Sequence, residues 1–255
     1  MKKEQKQAEV LGVKITGKQM SQVLEKIDSG LEKGKKFYIT TPNPEIIVQA
    51  QKDAKLKDAI NKSDISIVDG MGLFLALKAK GFNGYKIIKG RELFIQLLEI
   101  ANERGLKVYL LGSTSRVIKL CIDKILKIYP NVNIQGSSGP KLNINATPVT
   151  DVDTKSYKDT LRDINLFKPD FLFVAFGAPK QEKWIFDNFD SIKAKATMAV
   201  GGSLDYFSGQ ALIPPSWVSN FGFEWAWRLY KEPKRIGRVI SAFVIFPYLV
   251  LTKRN

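Results

Sequence analysis

The sequence predicts a doubly wound α/β fold: a mostly parallel, Rossmann-like sheet with helices on both faces, followed by a C-terminal helical appendage. Three observations carry that expectation. Short β-rich runs alternate with amphipathic helical stretches along most of the 255 residues, the order that builds parallel sheets from strand–helix–strand units. Several runs are apolar at consecutive positions, as strands covered on both faces must be. After Ile213 the character changes to Pro214-Pro215, then clustered aromatics, then a basic and apolar tail. A catalytic domain over 1–213 and an appendage over 214–255 follow.

The expected strands are Phe37–Thr41, Ile65–Val68, Lys107–Leu111, Val132–Gln135, Asp170–Phe176 and Thr197–Val200. Between them, Met20, Val23, Leu24, Ile27 and Leu31 recur at helical spacing, and so do Leu93, Leu97, Ile100 and Ala101 before Gly105 at a plausible C′ position. Ser115–Ile128 gives another helix, stopped by Pro130. Gly136 to Thr154 is polar and carries Gly, Pro and Asn, so it reads as one long loop.

Composition removes whole classes of chemistry. There is no histidine and one cysteine, Cys121. That excludes Ser-His-Asp triads, Cys-His dyads, histidine-ligated metals, thiolate zinc clusters and an intrachain disulfide framework. Reactions here must rest on carboxylates, hydroxyls, amides and cations. Asp151-Val-Asp153 has the look of a two-carboxylate metal motif, but it falls in the polar loop and not at a strand end. No metal and no cofactor are expected.

Charge is unevenly spread. The formal charge is +15, and residues 221–255 hold seven Lys/Arg against two Glu. The N-terminus has no apolar h-region behind its lysines. The longest apolar run, Val239–Leu251, has 13 residues and a proline, short of the roughly 20 needed to span a bilayer. Arg228, Lys231, Lys234, Arg235 and Arg238 recur at helical spacing beside Trp225, Trp227 and Tyr230. A solvated cationic face is the plain reading; basic and apolar together suggest an anionic membrane surface more than nucleic acid. No helix-turn-helix, zinc-finger or RNP signature appears.

In open α/β sheets ligands bind beyond the carboxyl ends of the strands. Five unusual segments fall there: Thr41-Pro-Asn-Pro-Glu45, Asp69-Gly-Met-Gly72, Gly112-Ser-Thr-Ser115, Gly177-Ala-Pro-Lys-Gln-Glu182 and Gly201-Gly-Ser-Leu-Asp205. Asp69 ends an apolar strand, and Gly70 and Gly72 leave backbone room for a ligand. A partly desolvated carboxylate there suits a general base; an aspartate at that point equally suits a helix N-cap. Gly112-Ser-Thr-Ser115 opens a helix whose first amides favour phosphate, but it has neither the P-loop lysine nor a dinucleotide fingerprint. Gln181 and Glu182 read either as contacts to a sugar or as first-turn helix residues.

With these segments in order, the chain resembles the WecG/TagA/CpsF family of bacterial glycosyltransferases. The resemblance rests on Thr41-Pro-Asn-Pro-Glu45, Val68-Asp-Gly-Met-Gly72, Leu110-Leu-Gly112, Val174-Ala-Phe-Gly-Ala-Pro-Lys-Gln-Glu-Lys-Trp184, Val200-Gly-Gly-Ser-Leu-Asp205 and Gly222-Phe-Glu-Trp-Ala-Trp-Arg-Leu229, then Glu232-Pro233 and Arg235. It implies inverting, metal-independent transfer from a UDP-sugar to an undecaprenyl-diphosphate-linked acetamido sugar at the cytoplasmic face of the membrane. The donor sugar is N-acetylmannosamine in the teichoic acid branch. Asp69 matches the proposed base, Thr41, Asn43 and Gln181 match pocket positions, and the tail matches a membrane-docking appendage. Amides near Gly112, Gly201 and Gly202, with Arg228, Arg235 or Arg238, are expected to hold the departing diphosphate. A homo-oligomer is left open.

The chain also departs from that family. Relatives commonly read Glu-Arg-x-x-Gly-x-Asp where this sequence has Lys86-Ile-Ile-Lys-Gly-Arg-Glu92. Ile87 stands where a pocket arginine is expected and Glu92 where an aspartate is. Lys89 or Arg91 supplies a cation nearby, with different reach. Ser137-Ser138 lacks the histidines of some relatives. These changes bear on the donor sugar, leaving N-acetylmannosaminuronic acid, glucose and glucuronic acid as alternatives, and on a rival reading as an inactive homologue.

Overall fold

The computed structural model describes residues 7–212, 224–231, 233 and 236–253. In chain order the first half forms β1 (Ala8–Val10), β2 (Val13–Ile15), α1 (Met20–Glu32), β3 (Phe37–Thr40), α2 (Pro44–Ala50), α3 (Ala54–Asn61), β4 (Ile65–Ser66), α4 (Met71–Ala79) and α5 (Gly90–Arg104). Then come β5 (Lys107–Gly112), α6 (Ser115–Ile128), β6 (Asn133–Ser137), α7 (Asp151–Phe167), β7 (Phe171–Ala175), α8 (Lys180–Asn188), β8 (Ala196–Ala199) and α9 (Ser203–Ser208). The described tail holds α10 (Glu224–Lys231), α11 (Ile236–Ile240), a π-helical turn (Ser241–Ile245) and α12 (Phe246–Thr252). All six expected strands are present, each within two residues of the expected ends.

The chain divides into two compact units, neither of them contiguous in sequence. One comprises Met1–Val23, Thr41–Lys89 and Ile213–Asn255; the other comprises Leu24–Thr40 and Gly90–Leu212. The stretch after Ile213, expected as an appendage to a 1–213 domain, groups with the first of these.

In the second unit the strands pair in parallel in the order β3-β8-β7-β5-β6. Every residue of β7 and all of β5 after Lys107 is buried, which is why these runs read as continuously apolar. One face carries Tyr109, Leu111, Leu172 and Val174 against Ile164 of α7 and Trp184 and Ile185 of α8. On the other, Phe173 meets Phe94 of α5 edge-on at 4.7 Å between ring centroids. Helices on both faces make the unit doubly wound. Gly105, with φ +62°, ends α5 as its position predicted.

Two expectations need correction here. The segment 136–154 is not one long loop, because β6 runs to Ser137 and α7 begins at Asp151. Asp151 and Asp153 are first-turn residues of α7, where Asp153 Oδ1 accepts from Lys141 N (2.9 Å) and Thr150 caps the helix through Asp153 N. Acidic residues in a first turn complement the helix dipole.

In the first unit β1 and β2 form an antiparallel hairpin through Leu11 and Gly12, both at positive φ, as a two-residue hairpin turn requires. Asn61 of α3 pins the hairpin, donating to Gly12 O (2.8 Å) and accepting from Lys14 N (2.9 Å). In the tail, the π-helical turn and α12 pack on α2, and α12 also on α4; Phe246 is buried there, 2% exposed. Among the described residues no helix is long and apolar enough to cross a membrane.

Candidate active site

The first unit brings together the segments around Thr41 and Asp69. Thr41 is buried just past β3. Asn43, half-buried, is the N-cap of α2: its Oδ1 accepts from Ile46 N at 3.0 Å, with Pro44 following at the first helical position. The cap uses the Oδ1 end of the amide and not Nδ2. Asp69 N donates to Pro42 O at 3.3 Å, which lashes the two segments together.

Asp69 is half-buried, and it is not a helix cap. The N-cap of α4 is Gly70, at φ +105°, which has no side chain to cap with. The N-cap position that the sequence offered for this aspartate thus falls to the glycine after it. Gly72 also has a different purpose from the one expected: a Cβ there would lie 2.8 Å from Pro44 Cγ. The space beside Gly72 is filled by Pro44 and is not ligand room.

Ile87, which the resemblance places at a pocket arginine's position, lies in this same unit. Ile88 N donates to Val68 O at 2.9 Å, so the backbone next to Ile87 runs beside the residue preceding Asp69. Lys89 is half-buried in the same unit. Arg91 belongs to α5 in the other unit, with its guanidinium 5.9 Å from the Tyr206 ring centroid; Glu92 is in the first turn of that helix.

Of the tail arginines, Arg238 reaches Glu45 on α2, Nε to Oε1 at 3.4 Å. Arg228 lies on α10, and Arg235 and Lys234 lie outside the described residues, as do Trp217, Phe221 and Phe223.

The second unit offers a groove of about 690 Å³ past the ends of β5, β6 and β7, lined by Ser113, Thr114, Ser115, Ser138, Lys141 and Lys180 among others. A smaller hollow of about 360 Å³ shares Ser115 and Ser138 with it. Gly112 is obligatory at this edge: φ is +101° and a Cβ would meet the Ala175 carbonyl carbon at 2.7 Å. Thr114 caps α6 through Val117 N, as the sequence suggests. With Val117 N taken by that cap, Ser115 N and Arg116 N are the first-turn amides without carbonyl partners four residues back; Ser115 lines the groove together with the two lysines, a setting that suits an anion. Ser113 Oγ donates to Asp205 Oδ1 at 3.0 Å, a link between two glycine-rich turns that the sequence did not disclose.

Gln181 sits differently from a simple pocket residue. It is 1% exposed, and its Oε1 accepts from Gly177 N (3.2 Å) and Gly201 N (3.1 Å). Gly201 N is therefore not a donor for phosphate, while Gly202 occupies the N-cap of the short α9. Glu182, also buried, accepts from Gln181 Nε2 at 2.8 Å. Tyr38 beside it has its phenol held well above the usual range, first by burial and then by the charge of Glu182. Among the described residues no cluster of three acidic or thiol side chains has the arrangement to hold a metal ion.

The chain is similar to known proteins along almost its whole length. Two relatives from Staphylococcus aureus, strains MW2 and NCTC 8325 / PS 47, are each 30% identical over 249 residues, covering 97% of this chain and 93% of theirs. Both are named N-acetylglucosaminyldiphosphoundecaprenol N-acetyl-beta-D-mannosaminyltransferase. The family described as "Glycosyl transferase WecG/TagA/CpsF family" matches residues 8–255, so the six sequence segments and the fold lead to one conclusion: the chain belongs to the WecG/TagA/CpsF family of glycosyl transferases.

Proposed function

We propose that this chain transfers an N-acetylmannosamine-type sugar from UDP to undecaprenyl-diphosphate-linked N-acetylglucosamine, with inversion and without a metal, in the synthesis of teichoic acid or a related surface polysaccharide. The names of the relatives support the acceptor and the sugar. The observation that carries the chemical reading is Asp69: a half-buried carboxylate at the end of an apolar run, beside a helix that Gly70 and not Asp69 caps.

In this reading Asp69 takes the proton from the acceptor hydroxyl as that oxygen attacks the anomeric carbon, and UDP departs from the opposite face. Taken by itself, the groove of the second unit suits a diphosphate, through the open first-turn amides of α6 with Lys141 and Lys180. Gly201 N, bonded to Gln181, leaves that list. The lipid acceptor stays in the bilayer, so the enzyme works at the inner face of the cell membrane. The tail supports this with exposed Phe243, Val244, Tyr248 and Leu251 alongside basic Arg238 and Lys253. Each cation near an anionic surface contributes about 1 kcal/mol.

The test is Asp69→Asn. It should retain UDP-sugar binding and lose roughly 10²–10⁴ in turnover; turnover near the wild-type rate would place the base elsewhere. Ile87, in place of a pocket cation, favours a second reading in which the donor is another UDP-hexose. A panel of UDP-sugars with a short-chain lipid acceptor decides between them, and no transfer from any donor would mark an inactive homologue.

A further inference from the structure

The first turn of α8 buries three polar side chains in a row: Gln181, Glu182 and Lys183. Burying an amide and a carboxylate is unfavourable unless new hydrogen bonds replace those lost from water. Here the replacements are specific. Gln181 Oε1 takes the amides of Gly177 and Gly201, which open the turns after β7 and β8. Two accepted bonds occupy both lone pairs of that oxygen. Gln181 Nε2 donates to Glu182 Oε1.

A carboxylate only accepts, whereas a side-chain amide has a donor end and an acceptor end. Glu182 therefore allows the Gln181 amide one orientation, with its NH₂ toward the carboxylate and its oxygen toward the two glycines. Were it reversed, NH₂ would face two N–H groups, and three buried donors would lose their acceptors.

We propose that Glu182 is a positioning residue: acting through Gln181, it fixes the backbone of the Gly177 and Gly201 turns in the arrangement that sugar transfer requires. The inference rests on the glycosyl-transfer reading above and deepens it. Gln181 serves the reaction by clasping two strand-end turns, and not by its own contact with the sugar.

Reversing donor and acceptor tests this. Gln181→Glu sets two carboxylates side by side, and kcat/KM should fall about 10- to 100-fold, mainly through a raised KM for the UDP-sugar. Adding Glu182→Gln puts an amide at 182 that donates to the carboxylate at 181, which still accepts from both glycines. The double variant should recover to within about threefold of wild type. A folded double variant no better than Gln181→Glu would overturn the proposal.

Should the single variant fail to fold, hydrogen exchange on the wild-type chain decides. The Gly177 and Gly201 amides, each bonded to a buried side chain, should exchange at least about 100-fold more slowly than amides in open turns. Exchange of either at the open-turn rate refutes the clasp. This measurement uses no substrate, so protected glycines in a chain that transfers no sugar would sink the transferase reading and leave the clasp standing.

Discussion

Gly72, in the first turn of α4, lies so close beneath Pro44 of α2 that a methyl group on its Cα would sit 2.8 Å from the proline Cγ. The glycine is set by helix contact, two residues beyond Gly70 and three beyond Asp69. The catalytic candidate thus stands on a junction of two helices that cannot separate without moving it.

Gly72→Ala follows directly. In an open helix this change stabilises by about 1 kcal/mol. Here the clash with Pro44 reverses the sign, and a loss of about 1–3 kcal/mol is expected in urea unfolding.

Asn43 separates capping from recognition. Asn43→Ala should cost about 0.5–2 kcal/mol by removing the α2 cap. Asn43→Asp keeps the capping oxygen, so stability should return. If Nδ2 binds substrate, KM stays raised in the aspartate variant, because a carboxylate has no N–H to give.

The tail holds residues of opposite kinds. Phe246 is buried, and Phe246→Ala should cost about 3–5 kcal/mol. Leu251 is 80% exposed; Leu251→Glu should leave the unfolding midpoint unchanged and reduce flotation with anionic vesicles. Equal flotation would argue against bilayer contact by this segment.

Alkaline pH should destabilise the protein. Burial, with the charge of Asp205 adding to it, pushes the Cys121 thiol from 9.0 up to about 12, and Tyr38 is raised for related reasons. Both groups favour the protonated form when folded, so the folded state binds more protons once the unfolded groups begin to ionise. Stability is then fully present below about pH 9 and falls as pH rises from there toward 12. Thermal midpoints across that range check it. Iodoacetamide at pH 8 should leave native Cys121 unmodified and react on unfolding.

The parallel strands were legible because burial on both faces leaves continuous apolar runs, as in β7. The start of helix α7 was not: Tyr157, Leu161, Ile164 and Phe167 recur at helical spacing and pack on the core, but residues 151–156 before them carry only the exposed Val152 as an apolar side chain. Its cap, Thr150 with Asp153, was the available signal. At the candidate site, Asp69 stood out by residue type and neighbours. The clasp of Gln181 on Gly177 and Gly201 did not, since residues 20 apart meet only when two strand ends come side by side. The pairing of Glu45 with Arg238 across most of the chain was hidden for the same reason.

The interleaving of the two units sets an order of birth. The unit carrying Gln181 has all its residues once Leu212 has been translated. The unit carrying Asp69 still awaits Phe246, a buried residue beyond Leu212 in the chain. A nascent polypeptide on the ribosome therefore completes the unit that bears the clasp before the unit that bears the proposed base.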